Sequence, residues 1–136
     1  MAGLTLYLLD TNIFLELLLD QEEAASVQAL LTTRAPEDLH ISDLAFHSIG
    51  IILYQKKAAR LFSEFARDLF GEGGITILSL TCDDIVRVEH AASRFGIDFD
   101  DAYQYVVAQK SDLMLVSFDG DFDRTDIRRV RPAEIT

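Results

Sequence analysis

The sequence of 136 residues holds one cysteine, two prolines, no tryptophan and only 12 basic residues against 23 acidic ones. Each scarcity excludes something. A lone Cys82 cannot close an internal disulfide, which argues against a stapled secreted scaffold and for a reducing, cytoplasmic setting. With so little proline and no low-complexity tract, nothing reads as a linker. Residues 1–136 are therefore taken as a single domain, long enough to bury a core. No apolar run approaches the ~20 residues of a membrane span. The opening "MAGLTLYLLD" also lacks the basic flank of a signal peptide, so no membrane association is expected. A net charge of −11 speaks against a broad phosphate-binding surface, because Lys and Arg make most such contacts.

The acid is concentrated. "FDGDFD" (118–123) sets Asp119, Asp121 and Asp123 at alternate positions directly after the apolar run "LMLV". Two unpaired carboxylates about 4 Å apart repel by roughly 4 kcal/mol at an effective dielectric near 20. Either these aspartates diverge into water or something positive sits between them. A calcium loop is a poor fit, because Arg124 takes the place of the required glycine and Val130 that of the bidentate glutamate.

Short apolar runs alternate with helical patterns along the chain. "LTLYLL" (4–9), "LHIS" (39–42), "ITIL" (75–78) and "LMLVS" (113–117) read as strands, and "RRVR" as a possible fifth. Between them, helices are expected from "DTNIFLELLLD", from "AASVQALLTTR", over 44–54, and from "AARLFSEFARDLF", the last stopped by Gly71, Gly73 and Gly74. Thr81 and Asp84 resemble a capping box, opening a helix with Ile85, Val88, Ala92 and Phe95 on one face and Gly96 at its end. Phe99, Ala102, Tyr103, Val106 and Val107 form the apolar stripe of the next helix. This order predicts an α/β fold, a three-layer α/β/α sandwich around a four- to five-stranded, mainly parallel sheet.

In open parallel sheets, ligands sit beyond the carboxyl ends of the strands. Asp10 lies at that end of the first strand and Asp119 just past that end of the fourth. Asp101 stands in the first turn of the helix that feeds the fourth strand, at the border of its buried face. Asp10 can serve simply as a helix N-cap, and Asp98 and Asp100 read best as helix-start residues. Three separated carboxylates aimed at one sheet edge nevertheless suit Mg²⁺ or Mn²⁺, which take oxygen ligands and can polarise a phosphate. Ser117 can donate a hydrogen bond to such a carboxylate. The basic residues cluster in "QKKAAR" (Lys56, Lys57) and "DRTDIRRVR" (Arg128, Arg129), as solvated surface or as a local phosphate track.

At these residues the chain resembles the PIN-domain family, of the kind found as VapC-type toxins of bacterial toxin–antitoxin pairs. "LLDTNIFLELL" resembles the family's opening Asp-Thr-Asn junction, "DDAYQYVVAQ" its acidic helix start, and "LVSFDGDF" its closing Ser/Thr-x-Asp-x-Asp-Phe strand end. The resemblance implies a metal-dependent endoribonuclease, often homodimeric, neutralised by a cognate antitoxin protein. It implies Asp10, Asp101 and Asp119 as catalytic metal ligands, Asn12 and Ser117 as supporting residues, and Asp121 as an outer ligand. One position departs: where the family carries a glutamate after the second strand, this chain has Ser48 in "SDLAFHSIG". A serine can hold water but brings no charge. The alternative to an RNA-cleaving toxin is therefore a PIN-fold module that binds antitoxin or RNA with weak or lost catalysis.

Overall fold

The structure, a computed structural model, describes residues 5–71 and 74–136. Leu4 and Gly73, assigned above to a strand and a helix stop, lie outside the described residues. Strands β1 (Tyr7–Leu9), β2 (Leu39–Ser42), β3 (Thr76–Leu78), β4 (Met114–Val116) and β5 (Arg129–Val130) form one sheet. Its order is β3-β2-β1-β4-β5, and every neighbouring pair is parallel.

Alternate residues of a strand face opposite sides of the sheet, so short strands covered on both faces must be apolar throughout. Tyr7 and Leu9 of β1 join one core, with Ile41, Val116 and Val130. That core is closed by side chains of α1 (Thr11–Leu18), α2 (Ala24–Thr33), α3 (Asp43–Gln55) and α4 (Ala59–Phe70). Leu8 and Leu115 point the other way, onto Val88 of α5 (Cys82–Phe95) and Ala102 and Val106 of α6 (Phe99–Lys110). These are the three layers that the alternation predicted. Among the described residues, no helix is long and apolar enough to cross a membrane.

Two side chains expected to face inward do not. Ile85 and Phe99 are 45% and 52% exposed, while Ala91 takes a buried place on α5. α5 packs chiefly along α6, so its buried arc runs through Asp84, Val88 and Ala91. Phe99 sits in the first turn of α6 and leans on Tyr103, with ring centroids 5.9 Å apart. The left-handed turn at Gly96 (φ 64) stops α5 and lets α6 return beside it.

The sheet order creates the crevice. After β1 the chain crosses to β2 on one side, and it later returns to β4 on the other. The carboxyl ends of β1 and β4 thus become a switch point between oppositely directed crossovers. α3, which forms one wall of that crevice, packs tightly on α4. A Cβ at Gly50 would lie 2.8 Å from Phe62 Cζ. The Phe62 ring is itself held by Phe46 (centroids 4.9 Å) and Phe65 (6.5 Å), which leaves it little room to move aside. Gly50→Val should therefore destabilise the protein by about 1–3 kcal/mol through overpacking, read as a lower urea midpoint. An unchanged midpoint would show that α4 yields freely.

Candidate metal centre

Asp10 directly follows β1 and caps α1. Its Oδ1 accepts from the Thr11 backbone N–H (2.8 Å) and from Gln104 Nε2 (2.8 Å). Its Oδ2 accepts from Ser117 Oγ (2.7 Å) and, at 3.5 Å, from Asn12 Nδ2. Asn12 also donates to Ser117 Oγ (3.2 Å) and accepts from the Phe118 N–H (3.2 Å), which ties the start of α1 to the end of β4. Burial pushes the Asp10 carboxyl above its ordinary range, while the donors from Gln104, Ser117 and Thr11 pull it back towards the charged form.

Asp101 occupies the first turn of α6, its N–H donating to Asp98 Oδ1 (3.0 Å). Asp98 is thus the N-cap that its position suggested. From the end of β4, Asp119 accepts from the Asp121 N–H (2.9 Å) as the chain enters a 3-10 turn over Gly120–Arg124. Carboxylate oxygens of Asp101, Asp119 and Asp121 all lie within 4.8 Å of one another. Burial first, then the charges of Asp119, Asp98, Asp10 and Asp121, push Asp101 up to about 7. Asp123 diverges from this group and forms a forked pair with Arg129, at 3.0 and 2.9 Å. The D-x-D-x-D run therefore does both things open to it: two carboxylates converge, Asp121 also meeting Arg124 at 3.7 Å, and the third pairs elsewhere.

The cluster opens into a cleft of about 230 Å³ lined by Asp10, Asn12, Ser48, Asp101, Gln104 and Asp119, among others. Three carboxylates at this spacing, with neither histidine nor cysteine in the group, make a hard, all-oxygen donor set. Such a set fits Mg²⁺ or Mn²⁺ better than a soft-ligand metal.

The sequence-derived residues divide clearly. Asp101 and Asp119 meet, Asp121 joins them, and Asp10 lines the same cleft but stands outside that trio of oxygens. Asn12 and Ser117 brace Asp10. Ser48 lines the cleft on the α3 row Leu44–Ser48–Ile52, whereas Asp43 turns to accept from the Tyr103 hydroxyl (2.7 Å).

Of the basic residues, Lys56 follows Ile52 by one turn on that row, and Lys57 comes next in a left-handed conformation (φ 60). Arg128 and Arg129 depart from the phosphate-track expectation. Arg128 lines a groove with Leu6 and Leu113, the residues leading into β1 and β4, at the opposite edge of the sheet. The Arg129 guanidinium is occupied by Asp123 and by the Ser117 carbonyl (3.0 Å), and its side chain is only 15% exposed. One residue escaped notice in the sequence: Gln104, three positions after Asp101. The available signal was a polar side chain in the middle of an apolar helix.

A carboxyl raised in the folded state binds its proton more tightly there than in the unfolded chain. Ionising it therefore costs stability as pH climbs from the unfolded value of 3.8 towards about 7. Without metal, Asp101 should make the protein less stable at pH 7 than at pH 5, and Asp101→Asn should flatten that slope in thermal melts. An identical slope in the variant would remove Asp101 as its source.

Residues 7–128 match the family model of the PIN domain. Among solved structures, the sarcin–ricin loop cleaving toxin VapC20 of Mycobacterium tuberculosis is 19% identical with a TM-score of 0.79. That likeness covers 93% of this chain and 99% of the toxin. A toxin–antitoxin complex from Klebsiella pneumoniae is similar at 21% identity and TM-score 0.72, covering 93% and 97% of the two chains. FitAcB from Neisseria gonorrhoeae follows at 22% identity and TM-score 0.70, covering 94% and 99%. At these identities the likeness is one of fold. No curated protein matches the sequence.

Proposed function

The chain belongs to the PIN-domain family, and from that premise we propose that it is a Mg²⁺- or Mn²⁺-dependent endoribonuclease, the toxin of a toxin–antitoxin pair. The observation that carries the reading is the meeting of the Asp101, Asp119 and Asp121 carboxylates beside the buried Asp10. Asp101 and Asp119 would hold the cation, Asp121 would complete the rim, and Asp10 would add charge from behind. Asn12 and Ser117 keep Asp10 and the end of β4 in register. A divalent cation bound there would polarise a scissile phosphate and activate water. Lys56, with Lys57 beyond it, extends from the Ser48 row of α3 and offers positive charge to an RNA backbone leaving the cleft. The antitoxin partner is carried over from the toxin–antitoxin complexes among the similar structures. A homodimer is part of the same proposal, and the exposed Ile51 and Tyr54 on α3 offer apolar surface for it. The setting is cytoplasmic.

Ser48 supports a second reading. It lines the cleft at the position where the family carries its glutamate, so one charge is missing from the wall. A module that binds antitoxin or RNA without cutting would tolerate that loss.

Purified protein should cleave structured RNA only with Mn²⁺ or Mg²⁺, and millimolar Mn²⁺ should raise its melting temperature by binding the native state. Asp119→Asn should abolish both effects, and should raise the metal-free melting temperature by relieving repulsion. Equal Mn²⁺-induced shifts in the two proteins would refute a shared site. Metal binding without cleavage would favour the binding module.

Ser48→Glu restores the missing charge to the cleft wall. It should tighten Mn²⁺ binding and speed cleavage, as calorimetry alongside a cleavage assay would measure. Affinity and rate both unchanged would mean that residue 48 does not act on the cation.

A further inference from the structure

Gln104 is 2% exposed in the middle of α6. Its Nε2 donates to Asp10 Oδ1 at 2.8 Å. Its Oε1 is the one buried side-chain polar atom among the described residues that has no hydrogen-bond partner. The other polar side chains beside it on the helix are paired: the Tyr103 hydroxyl donates to Asp43 and the Tyr105 hydroxyl to Asp126. Turning the amide over would not satisfy Oε1. It would set that oxygen 2.8 Å from an Asp10 oxygen that already accepts from Thr11, acceptor against acceptor. The orientation is therefore fixed by Asp10, and Oε1 has no hydrogen-bond partner among the described residues.

A buried acceptor without a partner is costly, and a methionine or leucine would fill the same space without one. The position explains why an amide stands there. Gln104 lies one turn beyond Asp101, and both line the cleft with Asp119 and Ser48. We propose that Gln104 is the fourth oxygen donor of this site. Its Nε2 positions Asp10, and its Oε1 serves the divalent cation in the cleft as a neutral oxygen donor, where Ser48 brings no charge. The inference rests on the metal-dependent reading above and adds to it a residue outside the acidic set.

Titration of Mn²⁺ by calorimetry into wild type, Gln104→Met, Gln104→Glu and Asp119→Asn separates the possibilities, with circular dichroism confirming that each is folded. Gln104→Met should weaken Mn²⁺ binding by roughly tenfold or more, the scale of losing a residue that orients or supports metal ligands. Gln104→Glu should tighten it, because a carboxylate keeps the oxygen and adds charge. The same variant should lower the metal-free melting temperature by setting a new carboxylate against Asp10.

Gln104→Met within about twofold of wild type, with Asp119→Asn losing Mn²⁺, would overturn the inference and leave the metal site standing. Gln104→Glu weakened to the same degree as Gln104→Met would reduce Gln104 to a brace for Asp10, again overturning it. A wild-type protein that takes up no Mn²⁺ would overturn both this inference and the function on which it rests. If Gln104→Met fails to fold, the direction of the Gln104→Glu change decides.

Discussion

Asp10 is a carboxylate with 7% of its surface exposed, and a charge so placed is unfavourable unless donors replace the lost water. Four converge on it, from Thr11, Asn12, Gln104 and Ser117. They belong to α1, α6 and the end of β4, so satisfying this one group brings three distant segments together. The bond from the Asp10 N–H to the Val116 carbonyl (2.9 Å) fixes the backbone beneath it. The width of the cleft, the course of the chain after β4 and the placing of Gln104 all follow from that arrangement.

Around this carboxylate stand others with fewer partners: Asp119 accepts from the Asp121 N–H, and Asp121 meets Arg124 at 3.7 Å. Burial first, and then the neighbouring charges of Asp119, Asp98, Asp10 and Asp121, raise Asp101 until it holds its proton close to neutral pH. Elsewhere the chain disposes of its acid cheaply. Asp84 closes a capping box with Thr81 and meets Lys110 at 2.6 Å, and Asp123 pairs with Arg129. A protein that can neutralise aspartates so readily, yet leaves Asp101 and Asp119 without an ion pair among the described residues at a switch point, departs from local consistency where function is expected to require it. A divalent cation held there would relieve the repulsion among these charges.

Much of this was legible in the residues. β2 at Leu39–Ser42 and the Gly96 stop of α5 fall where apolar pattern and turn chemistry put them. The Thr81–Asp84 box also forms, with aspartate in place of the usual glutamate. The facing of individual side chains was less legible. Ile85 and Phe99 fit an apolar stripe by spacing, but which arc of a helix is buried depends on the neighbour that covers it. The basic tail, open in the sequence between solvated surface and phosphate track, was illegible for a similar reason. Arg128 and Arg129 are adjacent in sequence, yet one precedes β5 at the far edge of the sheet and the other folds back onto Asp123 and the Ser117 carbonyl.

The sequence by itself determined the kind of protein this is. Short apolar strands alternating with helices allow little besides a parallel sheet covered on both faces, and such a sheet sends Asp10 and Asp119 to one edge. These are consequences of periodicity and backbone chirality, which act locally and can be read locally. Only the tertiary structure decided how the carboxylates are shared out. Asp121 joins Asp101 and Asp119 because a 3-10 turn folds it back, and Asp123 leaves because Arg129 is within reach. Asp10 is drawn out of the trio by Gln104 and Ser117, residues 94 and 107 positions away in sequence. Hydrogen bonds and charges act through a few ångströms of space, and the distance along the chain carries no record of them.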